Sequence, residues 1–327
     1  MITLMTTVPG AANSLTDVPG LHIGHATLAG DGWLTGVTVV VAGPDGAVGG
    51  VDVRGGGPGT RETDLLDPRN AVERVNSIVL AGGSAYGLAA AHGVMTRLAA
   101  LHRGVKVGPE PSHVVPIVPA AILFDLGRGG VFGNYPGPEA GAAALEAALS
   151  PERNDSGPGG SAPKGTARAG NGGAGNGAAS NGAAGNVGAG TGALAGQLKG
   201  GIGSASEVLF DGTVTVGALA AVNSAGDVAD PRTGLLYGAA FGAPGEFDWL
   251  AAPSAADLAA HSARLGTRAR GDEPEPAHKG DPRPLNTTIG VVATNASLTK
   301  AQCAKLAGVA HDGMARAIVP AHSMFDG

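Results

Sequence analysis

Apolar and polar positions along the chain sort into short β-branched runs, stretches of helical spacing, and two segments with almost no large apolar residue. Gly36 to Ala42 is a continuous β-branched run that stops at Gly43-Pro44-Asp45-Gly46. It predicts a buried strand entering a hairpin, with Ala47 to Val53 as the returning strand. Ser77 to Ala81 predicts another short strand, and Ala85 to His102 carries apolar residues at helical spacing, so Gly82-Gly83-Ser84 is a strand-to-helix turn. Further strands are expected around Ser206–Phe210 and Val214–Val222, hinged at Asp211-Gly212, and at Ile289 to Ala293. Thr299 to Ile318 reads as an amphipathic helix with Leu306, Val309, Ala310 and Met314 on one side.

Two segments break this pattern. From Ser150 to about Ala183 the residues are mostly Gly, Ala, Asn, Ser and Pro with almost no large apolar side chain, which cannot bury enough surface to offset the entropy of ordering them. A flexible insertion is expected there. A second polar, proline-rich stretch, about 267–285, has six charged residues between Arg270 and Asp281 and reads as an exposed linker. It stops abruptly at Leu285-Asn286-Thr287-Thr288, just before a buried-type strand.

Composition narrows the picture. With 327 residues, 43% of them hydrophobic, the chain can bury a sizeable core, and a single large domain is expected. Its 58 glycines and 3% aromatic content point to backbone packed closely on backbone. A net charge of -6 with scattered Lys and Arg provides no basic stripe, which argues against a nucleic-acid partner. The single cysteine, Cys303, precludes an internal disulfide and a thiolate metal cluster, and fits a reducing compartment. Met1–Ala12 lacks a basic region followed by an apolar run, and no stretch approaches the roughly 20 apolar residues of a membrane helix. A cytoplasmic protein with no membrane partner is expected.

The glycine runs fit phosphate cradles poorly. Gly188-Ala189-Gly190-Thr191-Gly192 follows the insertion rather than a strand, and Gly55-Gly56-Gly57-Pro58-Gly59-Thr60 lacks the lysine of a P-loop. The nine histidines show no ligand spacing, so neither a metal nor a cofactor is expected.

Thr287 is the residue with the most specific chemistry. A cut at Asn286–Thr287 would leave a threonine at the rigid end of the junction, inside the fold. Its new α-amine would titrate at about 7.7–8.0, low enough to take the proton of its own hydroxyl at neutral pH. Otherwise Asn286-Thr287-Thr288 simply starts a strand with a side-chain turn.

Four motifs add to this reading. Gly50-Val51-Asp52-Val53-Arg54-Gly55-Gly56-Gly57-Pro58-Gly59-Thr60-Arg61-Glu62-Thr63-Asp64, Leu80-Ala81-Gly82-Gly83-Ser84-Ala85-Tyr86-Gly87-Leu88, Val187-Gly188-Ala189-Gly190-Thr191-Gly192-Ala193 and Asn286-Thr287-Thr288-Ile289 occur in that order. Together they resemble the L-aminopeptidase/D-esterase family, which includes β-peptidyl aminopeptidases and nylon-oligomer hydrolases. The resemblance covers nearly the whole chain outside the two flexible stretches. It implies an α+β fold, a four-layer αββα sandwich of the aminopeptidase/esterase and ornithine acetyltransferase type. It also implies autocleavage between Asn286 and Thr287 into segments Met1–Asn286 and Thr287–Gly327, hydrolysis of small peptides, amides or esters with a free amino end, and no cofactor. A homo-oligomer is expected. Lys199 is similar to the family's catalytic lysine, Asn223 to its oxyanion donor and Tyr86 to a tyrosine lining the substrate site. Each has a plainer reading: a solvated lysine in a Gly-rich loop, a turn-forming asparagine, and a packing residue at a helix N-terminus.

The C-terminus departs from the family. The resemblance implies an acidic or serine residue, one spacer and a second acidic residue, with a final strand and helix, whereas here Met324-Phe325-Asp326-Gly327 ends after the first. Cleavage and turnover that are slow or absent, or an incomplete form of a longer protein, is the expectation, with Asp326 orienting the nucleophile loosely. An acyltransferase of the ornithine acetyltransferase type and a non-catalytic binding paralogue are the alternative functions.

Overall fold

A computed structural model describes residues 7–150, 177–180, 183–196, 198–260, 263, 286–324 and 326. Its principal strands are β1 (Val8–Pro9), β2 (His22–Gly30), β3 (Trp33–Val41), β4 (Thr60–Arg61), β5 (Ser77–Ala81), β6 (Ala120–Ile122), β7 (Gly177–Ser180), β8 (Gly201–Leu209), β9 (Val214–Val222) and β10 (Ile289–Thr294). The long helices are α1 (Ala90–Ala100), α2 (Pro138–Leu149) and α3 (Lys300–Ala317). One sheet has the order β7-β2-β3-β5-β6-β4, the other β1-β8-β9-β10. Only the β5–β6 pairing in the first sheet is parallel, and the second sheet is antiparallel throughout.

Strand β3 shows why two layers of sheet form. Its alternate residues Val37, Val39 and Val41 face a core shared with Ala90, Val94, Leu98, Ala144 and Leu145 of α1 and α2. Val40 joins the second core with Leu80, Leu123, Ile202, Leu219 and Val291, which fills the space between the sheets. A strand apolar on both faces is therefore sandwiched between helices and a second sheet. The αββα arrangement follows, with α3 beyond the second sheet as the fourth layer.

Several local expectations meet a different outcome. The strand expected over Ala47–Val53 is limited to Ala47–Val48, paired with Arg74–Val75. At Gly50 a Cβ would collide with the backbone of Ala304 and Cys303, so the chain there packs on α3 rather than extending a sheet. The helix expected from Ala85 begins as a 3-10 turn over Ser84–Ala89 and becomes α-helical at Ala90. Within the glycine-rich insertion, Gly177–Ser180 forms the edge strand β7, its backbone paired with Thr27 to Gly24 of β2. An edge strand needs only backbone partners, so poor side-chain burial does not forbid it. The rest of that insertion, and the 267–285 linker, lie outside the described residues. Among the described residues no helix is long and apolar enough to cross a membrane.

Candidate active site

Within the second sheet, the end of β9 lies beside the start of β10, Ala221 pairing with Ile289. Thr287 sits immediately before β10, 5% exposed, and its N–H donates to the Asn223 carbonyl just after β9 at 2.7 Å. Its Oγ1 donates to the carbonyl oxygen of Asn286 at 2.7 Å. The hydroxyl thus lies against the peptide group that precedes it. Thr288 Oγ1 accepts from the Asn223 N–H at 3.2 Å, so Asn223 holds both threonines through its main chain.

The side chain of Asn223 is fully buried. Its Oδ1 accepts from Arg128 Nη1 at 2.6 Å and from the Leu194 N–H at 3.0 Å, and its Nδ2 donates to the Phe124 carbonyl at 3.1 Å. Asn223 is therefore a junction between the loop after β6, the hairpin that follows the Gly188-Ala189-Gly190 turn, and the two threonines.

Asp326 pairs with Asn286 as a parallel bridge and is 4% exposed. Its Oδ1 accepts from the Ala225 N–H at 2.9 Å and its Oδ2 from the Ser323 hydroxyl at 2.6 Å. The carboxylate is thus next to the Asn286–Thr287 bond but spends its described contacts on Ala225 and Ser323. Lys199 is exposed on the short hairpin Leu194–Ala195/Leu198–Lys199. It shares one cavity of about 1320 Å³ with Thr287, Thr288 and Asp326. Tyr86 lies outside that cavity wall, exposed, its ring stacked on Tyr135 at 4.9 Å between centroids. The structure therefore brings Thr287, Asn286, Asn223 and Asp326 together, places Lys199 on the wall of the same large cavity, and sets Tyr86 apart.

Behind Asn223 lies a polar cluster that sequence patterns did not single out. Asp125, 2% exposed, accepts the Gly83 N–H on Oδ1 at 2.6 Å, and its carboxyl also meets the buried Thr35 hydroxyl. Burial pushes the Asp125 carboxyl up to about 6. Arg128 joins Gly192, Asn223 and the Asp125 loop: its Nη1 also donates to the Gly192 carbonyl at 2.7 Å. Burial pushes its guanidinium pKa down, and the nearby Asp125 charge opposes that. The only sequence signal for this pair is two charged residues flanking Leu126-Gly127 after an apolar run.

The cavity wall also carries Asp52, Arg54, His311 and His322. His311 Nε2 lies 3.4 Å from Asp52, its ring is 4.9 Å from that of His322, and burial lowers its pKa. Among the described residues no group of three or more His, Cys, Asp or Glu is placed to hold a metal ion.

The sandwich shares its fold with solved aminopeptidase structures. It is similar to a β-aminopeptidase from Burkholderia sp., with a TM-score of 0.62 and 22% identity, covering 100% of this chain and 73% of that one. It is also similar to the L-aminopeptidase D-Ala-esterase/amidase from Ochrobactrum anthropi, described as a prototype for the serine aminopeptidases with a variant Ntn hydrolase fold. There the TM-score is 0.59 at 20% identity, with 98% of this chain and 73% of that one covered. Residues 13–327 match Peptidase family S58, and this chain belongs to that family. An uncharacterized aminopeptidase of Mycobacterium tuberculosis H37Rv is 47% identical over 324 residues, covering 96% of this chain and 79% of the relative. One of Mycobacterium leprae is 45% identical over 322 residues, covering 96% and 76%. The chain is accordingly a hydrolase, and the acyltransferase and non-catalytic alternatives are not favoured.

Proposed function

We propose that this chain cuts its own Asn286–Thr287 bond and then works as an aminopeptidase on small peptides, amides or esters with a free amino end, Thr287 being the nucleophile. The observation that carries the reading is the 2.7 Å contact of Thr287 Oγ1 with the Asn286 carbonyl, beside a cavity. In the first step Oγ1 attacks the Asn286 carbonyl carbon, the C–N bond breaks, and the hydroxyl proton ends on the departing Thr287 nitrogen. Water then hydrolyses the resulting ester to the Asn286 carboxylic acid and a free Thr287 hydroxyl. The new α-amine sits where Asn223 O already holds the Thr287 nitrogen, poised to accept the hydroxyl proton in each later attack on substrate.

Lys199 is the second candidate base on the same cavity. The Asn223 carboxamide supplies an oxyanion donor, which in well-studied hydrolases is worth about 3–4 kcal/mol. Asp326 fixes the strand beside Asn286, and Tyr86 meets only substrate parts that extend past the cavity wall. The relatives named as aminopeptidases support the substrate class. The cytoplasmic location rests on the single cysteine, and the homo-oligomer on the family resemblance.

Intact mass of the purified protein tests this directly. Two fragments are expected, the smaller beginning Thr-Thr-Ile, with turnover of amino-terminal amides that an added acceptor amine does not divert into transfer. Thr287→Ala should stay one chain and be inactive. A Thr287→Ala protein that still cuts at this bond would overturn the proposal.

A further inference from the structure

We infer that Arg128 is a positioning residue for this site: through the Asn223 side chain it sets where the Asn223 main chain holds Thr287, and which way the carboxamide faces. The inference rests on the reading of Thr287 as the nucleophile. Its geometric basis is the chain of contacts from Arg128 Nη1 to Asn223 Oδ1 at 2.6 Å, and from Asn223 O to the Thr287 N–H at 2.7 Å. Two bonds thus link a guanidinium in the loop after β6 to Thr287, two residues before the last strand.

Three features separate Arg128 from a residue that merely fills space. First, its Nη1 spans Gly192 O and Asn223 Oδ1, so one planar group ties the glycine-rich turn to the end of β9. A guanidinium does this with fixed geometry, which an ammonium on a flexible stem does not reproduce. Second, it settles the orientation of the Asn223 amide. An Asn side chain can turn end for end when its surroundings accept either atom, but Arg128 and the Leu194 N–H are both donors aimed at Oδ1. Nδ2 must then face the Phe124 carbonyl, to which it donates. Third, burying a charged group is costly without compensation, and here the compensation is two acceptors on one side and the Asp125 charge on the other.

Arg128 touches neither Thr287 nor the Asn286 carbonyl in any described contact. Its effect passes through Asn223. Misplacement of a reacting group by about 1 Å can lower rate on the order of a hundredfold, which sets the scale of the loss expected.

The test uses the full chain and two readouts. Precursor conversion, followed by intact mass, should slow on the order of a hundredfold in Arg128→Met, be partly retained in Arg128→Lys, and recover when free methylguanidinium is added to Arg128→Ala. Rescue by a small guanidinium is not the behaviour of a residue that only stabilises the fold. The second readout needs no cleavage: in the Thr287→Ala background, hydrogen exchange at the residue 287 amide should quicken when Arg128→Met is added, with amides of β3 and β9 unchanged. Wild-type conversion in Arg128→Met, or unchanged protection at residue 287, overturns this inference and leaves the nucleophile intact. A wild-type chain that never cleaves defeats the nucleophile reading instead, and the exchange measurement then still decides what Arg128 does to Asn223.

Discussion

On the first sheet, Ala90, Ala91, Val94, Leu98, Ala144, Leu145 and Ala148 of α1 and α2 are wholly buried, whereas α3 buries only Lys300 and Gly308. The α1–α2 pair also meets backbone to backbone. A Cβ on Gly93 would strike the Pro138 carbonyl, and one on Gly141 the Ala90 carbonyl. Helix α3 is held differently: Lys300 Nζ donates to the carbonyls of Leu65, Asn70 and Val72, and Arg54 Nη2 to that of Gly308. Between α3 and the rest runs the cavity that Thr287 faces. Non-directional aliphatic burial makes a rigid half that can orient Asn223 and Arg128, while a few directional polar ties leave room beside Thr287.

The contrast is broken most severely by one truncation on each side. Leu145→Ala removes a fully buried side chain from the close-packed half and should cost about 3–4 kcal/mol. Leu306→Ala, on the cavity side of α3, should cost about 1 kcal/mol, because its neighbourhood is already partly void. Chemical denaturation of both, in the Thr287→Ala background to keep one chain, measures this. Equal losses would mean that α3 is packed as tightly as α2.

The close-packed half also encloses two titratable groups with opposed shifts. Burial lowers His25, wholly buried and bonded to Thr38 Oγ1 at 2.9 Å, to about 4. It raises Asp125 to about 6. Between pH 4 and 6.5 the unfolded chain carries the His25 proton that the folded chain lacks, so that group makes stability rise with pH, by about 3 kcal/mol in all. Asp125 does the reverse: the folded chain keeps a proton the unfolded chain has lost, and stability falls by about 3 kcal/mol as pH rises from 4 to 6. The two nearly cancel. Asp125→Asn should therefore expose a stability that climbs across this range, and His25→Gln one that declines. Parallel profiles for the two variants would refute the assignment.

Much of this division was readable in the sequence, and the part that was not has a physical reason. The β-branched runs of β3, β5 and β9 and the 3.6-residue spacing of α3 carry large apolar contrasts, and those elements stand where they were expected. Strand β2 and helix α2 carry little contrast, since Gly24 and the Ala-rich turns of α2 are small in order to let strand and helix backbones touch. Thr287 stands out in the sequence because a polar stretch meets an apolar run there. Arg128 was not, since its meaning depends on Asn223, 95 residues away in the chain. Tyr86 shows the converse, a motif residue that the fold sets outside the cavity wall.

The mildest test concerns Lys300, the residue that most clearly marks how α3 is attached. It occupies the first position of the helix, after the Thr299–Gln302 capping box, where the positive end of the helix dipole disfavours a cation by about 0.3–1 kcal/mol. Its 7% exposure adds a desolvation cost. Three carbonyls at 2.9, 2.9 and 3.0 Å outweigh both by filling all three donor positions of the ammonium. Lys300→Met keeps most of the stem but leaves those carbonyls to find water, and should cost about 2 kcal/mol in the single-chain Thr287→Ala protein. In the processed protein the same contacts would join the Thr287–Gly327 segment to loop 65–72 of the other segment. Lys300→Met should then also speed loss of the small fragment in dilute solution, read by size-exclusion chromatography with mass detection. A stability change under about 0.5 kcal/mol with an unaltered fragment lifetime would show that α3 is held by its apolar contacts after all, and that the two helical layers differ less than their burial suggests.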